Sequence, residues 1–189
     1  MICKGDVIEN PVTGERMLFL ETSADTNGEY VLVEVTVQPN GFVAAAHVHP
    51  YQSERFEIES GTVGFKLDGE EIVAGPGETV VVPAGSSHKF WNAGETEAVF
   101  VTEVRPALQF ERLLETMFAL ANDGKTNKKG MPNPLRLAPI AKHHFDDVRL
   151  PVIPQWMQKL GLVMGAPVGR LLGYGPTYDP IPGELNPAV

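Results

Sequence analysis

Turn-forming residues interrupt the first half of this chain so often that no long helix fits there. Pro39-Asn40-Gly41, Ser60-Gly61, Asp68-Gly69, Gly75-Pro76-Gly77, Pro83-Ala84-Gly85 and Asn92-Ala93-Gly94 follow one another at short intervals. Glycine supplies backbone conformations that other residues avoid, and proline fixes φ and removes a donor, so each cluster marks a reversal of the chain. What lies between them alternates. Residues 30–37 put Val31, Val33, Val35 and Val37 on one face, and residues 53–59 put Glu54, Phe56 and Ile58 on one face against Arg55, Glu57 and Glu59. Val63, Phe65 and Leu67 share a face in 62–67, as do His88, Phe90 and Asn92 in 86–92, while 79–82 and 98–104 read as further strands. Period-two alternation in short, closely spaced segments predicts an antiparallel sandwich or barrel.

The pattern changes near residue 106. Residues 1–110 carry 17 acidic and 6 basic side chains, and residues 111–189 carry 7 acidic and 9 basic. Phe110, Leu113, Leu114, Met117, Phe118 and Ala121 follow helical spacing, and Gly124 ends that helix. Residues 125–134 read as an exposed linker. A second helix is predicted over roughly 153–164 from Ile153, Trp156, Met157, Leu160 and Met164, and the Gly- and Pro-rich stretch 173–189 reads as an extended or loosely ordered tail. The expected organisation is therefore a β domain over 1–106 and a helical extension with tail over 107–189.

Composition removes several classes. Cys3 is the single cysteine, which excludes an intrachain disulfide and a cysteine zinc cluster, and it reads as inert. A net charge of −9 argues against a general nucleic-acid binder. Residues 1–20 hold Asp6, Glu9 and Glu15 and no apolar run, so they do not read as a signal peptide, and no stretch of 18 uncharged apolar residues occurs. The expected compartment is the cytoplasm.

Four side chains carry the chemistry. His47 and His49, at i and i+2, face the same way on a strand; Glu54 shares the inward face of the next strand with Phe56 and Ile58; His88 shares an inward face with Phe90. Neutral imidazoles with one carboxylate suit a divalent transition ion, whether Fe, Mn, Ni, Zn or Cu. A cation also explains a glutamate on a core face, since a buried carboxylate without one is costly.

These residues sit in a recognisable spacing. Gly41, five residues, His47-x-His49, four residues, Glu54, six residues and Gly61 resemble the first cupin motif at every position. Gly77, five residues, Pro83-x-Gly85, two residues, His88, three residues and Asn92 resemble the second, 15 residues further on. The resemblance spans roughly residues 28–105. It implies a small double-stranded β-helix (jelly-roll) barrel, an all-β fold here extended by C-terminal α-helices, with His47, His49, Glu54 and His88 as metal ligands. It also implies a small-molecule substrate or ligand. A metal-dependent oxygenase is the first functional reading, with Glu54 as the proton-accepting catalytic residue. A non-catalytic module that senses or binds a small molecule is the second. Metal-free sugar epimerases and isomerases of related barrels do not need a complete ligand set, and this chain has one.

The remaining candidates have bland and sharp readings. Phe56, Phe65 and Phe90 serve as barrel core or as walls of a substrate pocket. Gln52 and Tyr51, between the ligands, either reach the metal's surroundings and the pocket or sit in an exposed loop. Asn92 reads as a turn residue. His143-His144 and Asp146-Asp147 match no metal spacing and read as a solvated helix end. Residues 124–170 hold eight Lys or Arg against two Asp, with Trp156 on an apolar helical face. That pattern suits a membrane-surface helix. The preferred reading is a helix packed on the barrel's outer face or on a partner subunit, because Gly161, Gly165 and Pro167 weaken a long helix. Exposed sheet edges also lead us to expect a homodimer.

Overall fold

The computed structural model describes residues 1–151 and 153–179. Ten strands precede three helices. The strands are β1 (Val7–Asn10), β2 (Glu15–Glu21), β3 (Val31–Val37), β4 (His47–Val48), β5 (Ser53–Ser60), β6 (Val63–Leu67), β7 (Glu70–Ala74), β8 (Thr79–Val82), β9 (Ser87–Asn92) and β10 (Ala98–Arg105). They form two antiparallel sheets, ordered β1-β2-β3-β10-β5-β8 and β4-β9-β6-β7. The two faces close over a core that contains Phe19, Val33, Val35, Phe56, Phe65, Phe90 and Phe100, the antiparallel barrel expected from the alternation and the double-stranded β-helix implied by the cupin resemblance.

The alternation is realised strand by strand. In β5, Glu54, Phe56 and Ile58 are buried, with Arg55 and Glu59 exposed. In β10, Phe100 faces Val35 of β3 on one side and Ile58 of β5 on the other. Phe56 meets Phe65 across the sandwich and Phe100 on the neighbouring strand β10, with ring centroids 5.1 and 5.6 Å apart in edge-to-face geometry. Such pairs add about 0.5–1.5 kcal/mol each beyond the area they bury. Asn92 acts as the expected turn residue. Its Nδ2 donates to the carbonyls of Val37 and Thr96, and its Oδ1 accepts from the amide of Gly94.

Two segments outside the expected strands complete the sheets. β1 and β2 extend the larger sheet beyond β3, with Met17 and Phe19 pointing into the core. β7 pairs with β6 across the Asp68-Gly69 turn. The alternation of Met17 and Phe19 was available as a signal. In β7 the charged pair Glu70-Glu71 concealed it.

The helices are α1 (Phe110–Asn122), α2 (Pro134–His143) and α3 (Gln155–Leu171). α1 matches the expected helix, Gly124 follows it at φ +63°, and Phe110 and Phe118 enter the barrel's own core. α2 was not foreseen. Asn133 caps it by accepting from the amide of Arg136, and Pro134 occupies the first turn, where a missing amide costs nothing.

α3 differs from expectation in length and in place. It runs 17 residues through Gly161, Gly165 and Pro167, and its main neighbour is α2 rather than the barrel wall. The glycines that weaken an isolated helix permit close approach here. A Cβ on Gly169 would stand 2.2 Å from the Leu135 carbonyl oxygen, and one on Gly165 would stand 3.2 Å from the Ala138 Cβ.

The start of the tail is also ordered otherwise than expected. Asp179 pairs with Arg112 at 2.8 Å, Arg136 stacks on Tyr174 at 4.2 Å, and the Tyr178 hydroxyl meets Asp123 and Lys125. Residues 180–189 of the expected tail lie outside the described residues.

Candidate metal centre

β4, β5 and β9 bring the four ligand-type residues together. His47 lies directly opposite His88 in the β4–β9 pair, and the chain continues from β4 to His49 before Glu54 enters on β5. One ligand atom from each of His47, His49, Glu54 and His88 lies within 4.8 Å of the others. Ring centroids are 4.8 Å apart for His47–His49, 4.3 Å for His47–His88 and 5.6 Å for His49–His88. Glu54 stands with Oε2 2.6 Å from His88 Nε2 and Oε1 3.7 Å from His49 Nε2. His49, Glu54 and His88 are buried and His47 is half-buried.

The orientation of each imidazole is set from behind. His47 Nδ1 lies 2.8 Å from the Ala45 carbonyl, His49 Nδ1 lies 2.5 Å from the Asp147 carbonyl, and His88 Nδ1 lies 3.3 Å from the Ser86 carbonyl. A carbonyl only accepts, so Nδ1 carries the proton in each ring. Nε2 is left with its lone pair facing the cluster, as metal-ligating histidines are commonly held. His49 Nε2 and Glu54 Oε2 are buried and form no well-aligned hydrogen bond, despite the short approach of His88 to the carboxylate. Donor atoms that converge this closely in a dry site, without hydrogens between them, fit a divalent cation.

The electrostatics agree. Burial pushes His47 down to about 3, helped by the neighbouring His49 and His88. Burial opposes ionisation of Glu54, but the surrounding imidazoles outweigh it and hold the carboxyl down at about 2. Burial likewise opposes a charge on His88, and the adjacent Glu54 carboxylate overcomes it and raises that imidazole, a pull on positive charge that a cation at the site would satisfy. A neutral His47 beside an ionised glutamate is the protonation pattern that a metal requires of its ligands.

The C-terminal extension takes part in this centre. Val48 and Arg149 exchange both backbone hydrogen bonds at 2.9 Å, which places residues 147–149 alongside the ligand-bearing β4. Phe110, the first residue of α1, stands edge-on to His49 with ring centroids 6.0 Å apart.

His144 and Asp147 correct an expectation. They are buried, not solvated; His144 Nδ1 lies 2.9 Å from Asp147 Oδ2, and Asp147 Oδ1 accepts from the amide of Gln109. His143 and Asp146 do face solvent. One side of the turn after α2 packs against His49 and Gln109, and adjacent residues therefore have opposite fates. Among the described residues, the quartet is the one cluster of this kind.

Gln52 is buried behind His49. Its Oε1 lies 3.1 Å from His49 Nδ1, and its Nε2 donates to the carbonyls of Pro106 and Ala107 at 3.0 Å each. It thereby ties the ligand loop to the start of the extension. Tyr51 is exposed. Phe90 and Phe65 face each other across β6–β9, immediately beyond the Leu67–His88 pair, so an aromatic layer lies next to the ligands.

Residues 33–104 match the family model described as "Cupin domain". With the fold and the site already described, this makes the barrel a cupin domain with C-terminal helices appended. Among curated proteins, the chain is similar to Oxidoreductase iacF of Pestalotiopsis fici, 26% identical over 158 residues that cover 77% of each chain. It is also similar to Quercetin 2,3-dioxygenase of Bacillus subtilis, 29% identical over 80 residues, which cover 42% of this chain and 23% of that protein. Among solved structures, a predicted oxalate decarboxylase from Thermotoga maritima superposes with a TM-score of 0.50 at 18% identity. That match covers 56% of this chain and 98% of that one, a likeness of fold.

Proposed function

We propose that this cupin is a metal-dependent oxygenase acting on a small organic substrate. The observation that carries the reading is the quartet itself: three imidazoles with Nε2 turned inward and one ionised carboxylate, all within 4.8 Å. Four protein ligands would leave further coordination positions open for a substrate. A bound divalent ion supplies Lewis acidity and a template where oxygen and a chelating enol or diol meet. The names of two relatives, an oxidoreductase and a quercetin 2,3-dioxygenase, support the same chemistry.

The chain's own residues supply position and a proton acceptor. His47, His49 and His88 would hold the ion, each fixed by a backbone carbonyl. Glu54 presents Oε2 to the cluster and accepts a proton there. The neighbours that keep it ionised also weaken it as a base, so it would accept a proton only from an acidic substrate hydroxyl. Phe56, Phe65 and Phe90 floor the substrate space with an apolar layer. Gln52 bears on that space through His49, because its amide donors are occupied by Pro106 and Ala107.

The test is oxygen consumption by anaerobically purified, metal-loaded protein against catechols, flavonols, diketones and thiols. Uptake that depends on metal and on Glu54 is expected. Stoichiometric metal with tight binding of a panel compound and no turnover would instead identify a non-catalytic binding module.

A further inference from the structure

α3 has two unlike faces. The inner face, with Gly165, Ala166 and Gly169, lies against α2. The outer face holds Trp156, Met157, Leu160, Val163, Met164, Val168 and Leu171 at helical spacing, with no charged side chain among them. These residues are exposed, Trp156 by 68%, Met164 by 67% and Leu171 by 87%. Leu150, Ile153 and Leu172 extend the exposed apolar surface at both ends of the helix. The stripe is roughly 25 Å long at 1.5 Å per residue. A contiguous apolar surface of that length marks an interaction site. Among the described residues, no element covers it.

Charge indicates the occupant. α3 contains no acidic residue, and Lys159 and Arg170 fall on one border of the stripe. The region 124–170 holds eight basic side chains against two acidic ones, in a chain whose net charge is −9. Two copies joined through this stripe would bring Lys159 and Arg170 together with no acid on the helix to offset them. An anionic surface with an apolar interior complements both features, and a tryptophan at one end suits the headgroup boundary. No helix of the described residues is long and apolar enough to cross a membrane. We propose that α3 docks the protein in-plane on an anionic lipid membrane, with its outer face in the acyl boundary and Lys159 and Arg170 at the headgroups.

The test is co-sedimentation of the full chain with phosphatidylcholine vesicles and with vesicles that also contain phosphatidylglycerol, alongside light scattering without lipid. Binding to the anionic vesicles is expected, weakened by salt. K159Q/R170Q should lower it by roughly 25-fold, the product of two headgroup charges. L160E/M164E alters only exposed positions and should abolish it while leaving the scattering mass and circular dichroism unchanged. Absence of the chain from both vesicle pellets would overturn the proposal. So would a dimeric mass that L160E/M164E converts to a monomer, which would assign the stripe to a second copy.

Discussion

The Asp147 carbonyl lies 2.5 Å from His49 Nδ1, so a residue 98 positions away aims a ligand of the metal centre. Asp147 is itself pinned by its own carboxylate, through His144 on one oxygen and the Gln109 amide on the other. Asp147→Ala should free that carbonyl to move. Metal affinity, measured by competition with a chromophoric chelator, should fall about 10- to 100-fold, the usual cost of losing a ligand's outer partner. An unchanged affinity in a folded variant would show that β4 alone orients His49.

Removing ligands should remove metal. His88→Ala leaves Glu54 without its nearest neighbour, and His47→Ala removes a ligand from the opposite strand. Elemental analysis of either variant should show substoichiometric metal beside a loaded wild type. Because only the folded chain assembles the quartet, metal at a hundred times its Kd should stabilise the wild type by about 2.7 kcal/mol. A chelator should reverse this. Identical melting of wild type and the His47→Ala/His88→Ala variant with and without metal would refute the site.

Glu15 is a buried acid far from the quartet in sequence. Its Oε2 accepts from the Thr13 hydroxyl at 2.6 Å, while Oε1 has no partner. Burial pushes its carboxyl up to about 7, against the smaller opposing effect of Thr13. The folded state therefore holds a proton that the unfolded state has released, and stability falls as pH rises from about 4.5 to about 7 and then levels. Glu15→Gln should remove that slope and stabilise the protein at pH 8 by up to about 3 kcal/mol. Denaturant melts of both proteins at pH 5 and pH 8 will check it; parallel pH dependence would exclude Glu15 as the source.

The glycines of α3 should separate cleanly. Gly169→Ala places a Cβ 2.2 Å from backbone oxygen and must push α3 from α2, costing about 1–3 kcal/mol. Gly161→Ala meets nothing within 4 Å and gains helix propensity, up to about 1 kcal/mol. Opposite shifts in melting temperature are expected. A loss at Gly161 would mean that its surroundings are more crowded than the helix pair shows.

Much of the barrel was legible because strand alternation is a local property. β3, β5, β6, β8, β9 and β10 all fall where valines, phenylalanines and turn residues predict them. The ligands were legible because cupin motifs record which residues stand where the strands enter the site. β7 was missed where the exposed Glu70 and Glu71 broke the apolar rhythm, whereas the alternation of Met17 and Phe19 in β2 was there to be read. α2 was missed because Pro139 in its interior discourages a helix that tertiary packing nevertheless supports.

By itself the sequence determined the strand faces and the first helix, since each depends on residues a few positions apart, and the quartet, since its members stand in two recognisable motifs. Only the tertiary structure decided that the segment around Asp147 would pair beside β4 and aim His49. It likewise decided that His144 and Asp147 would be buried while His143 and Asp146 stayed wet, and that α3 would turn its glycines inward and its apolar stripe outward. Those outcomes depend on which surfaces meet after the chain has folded back over nearly a hundred residues, and no local periodicity encodes that meeting.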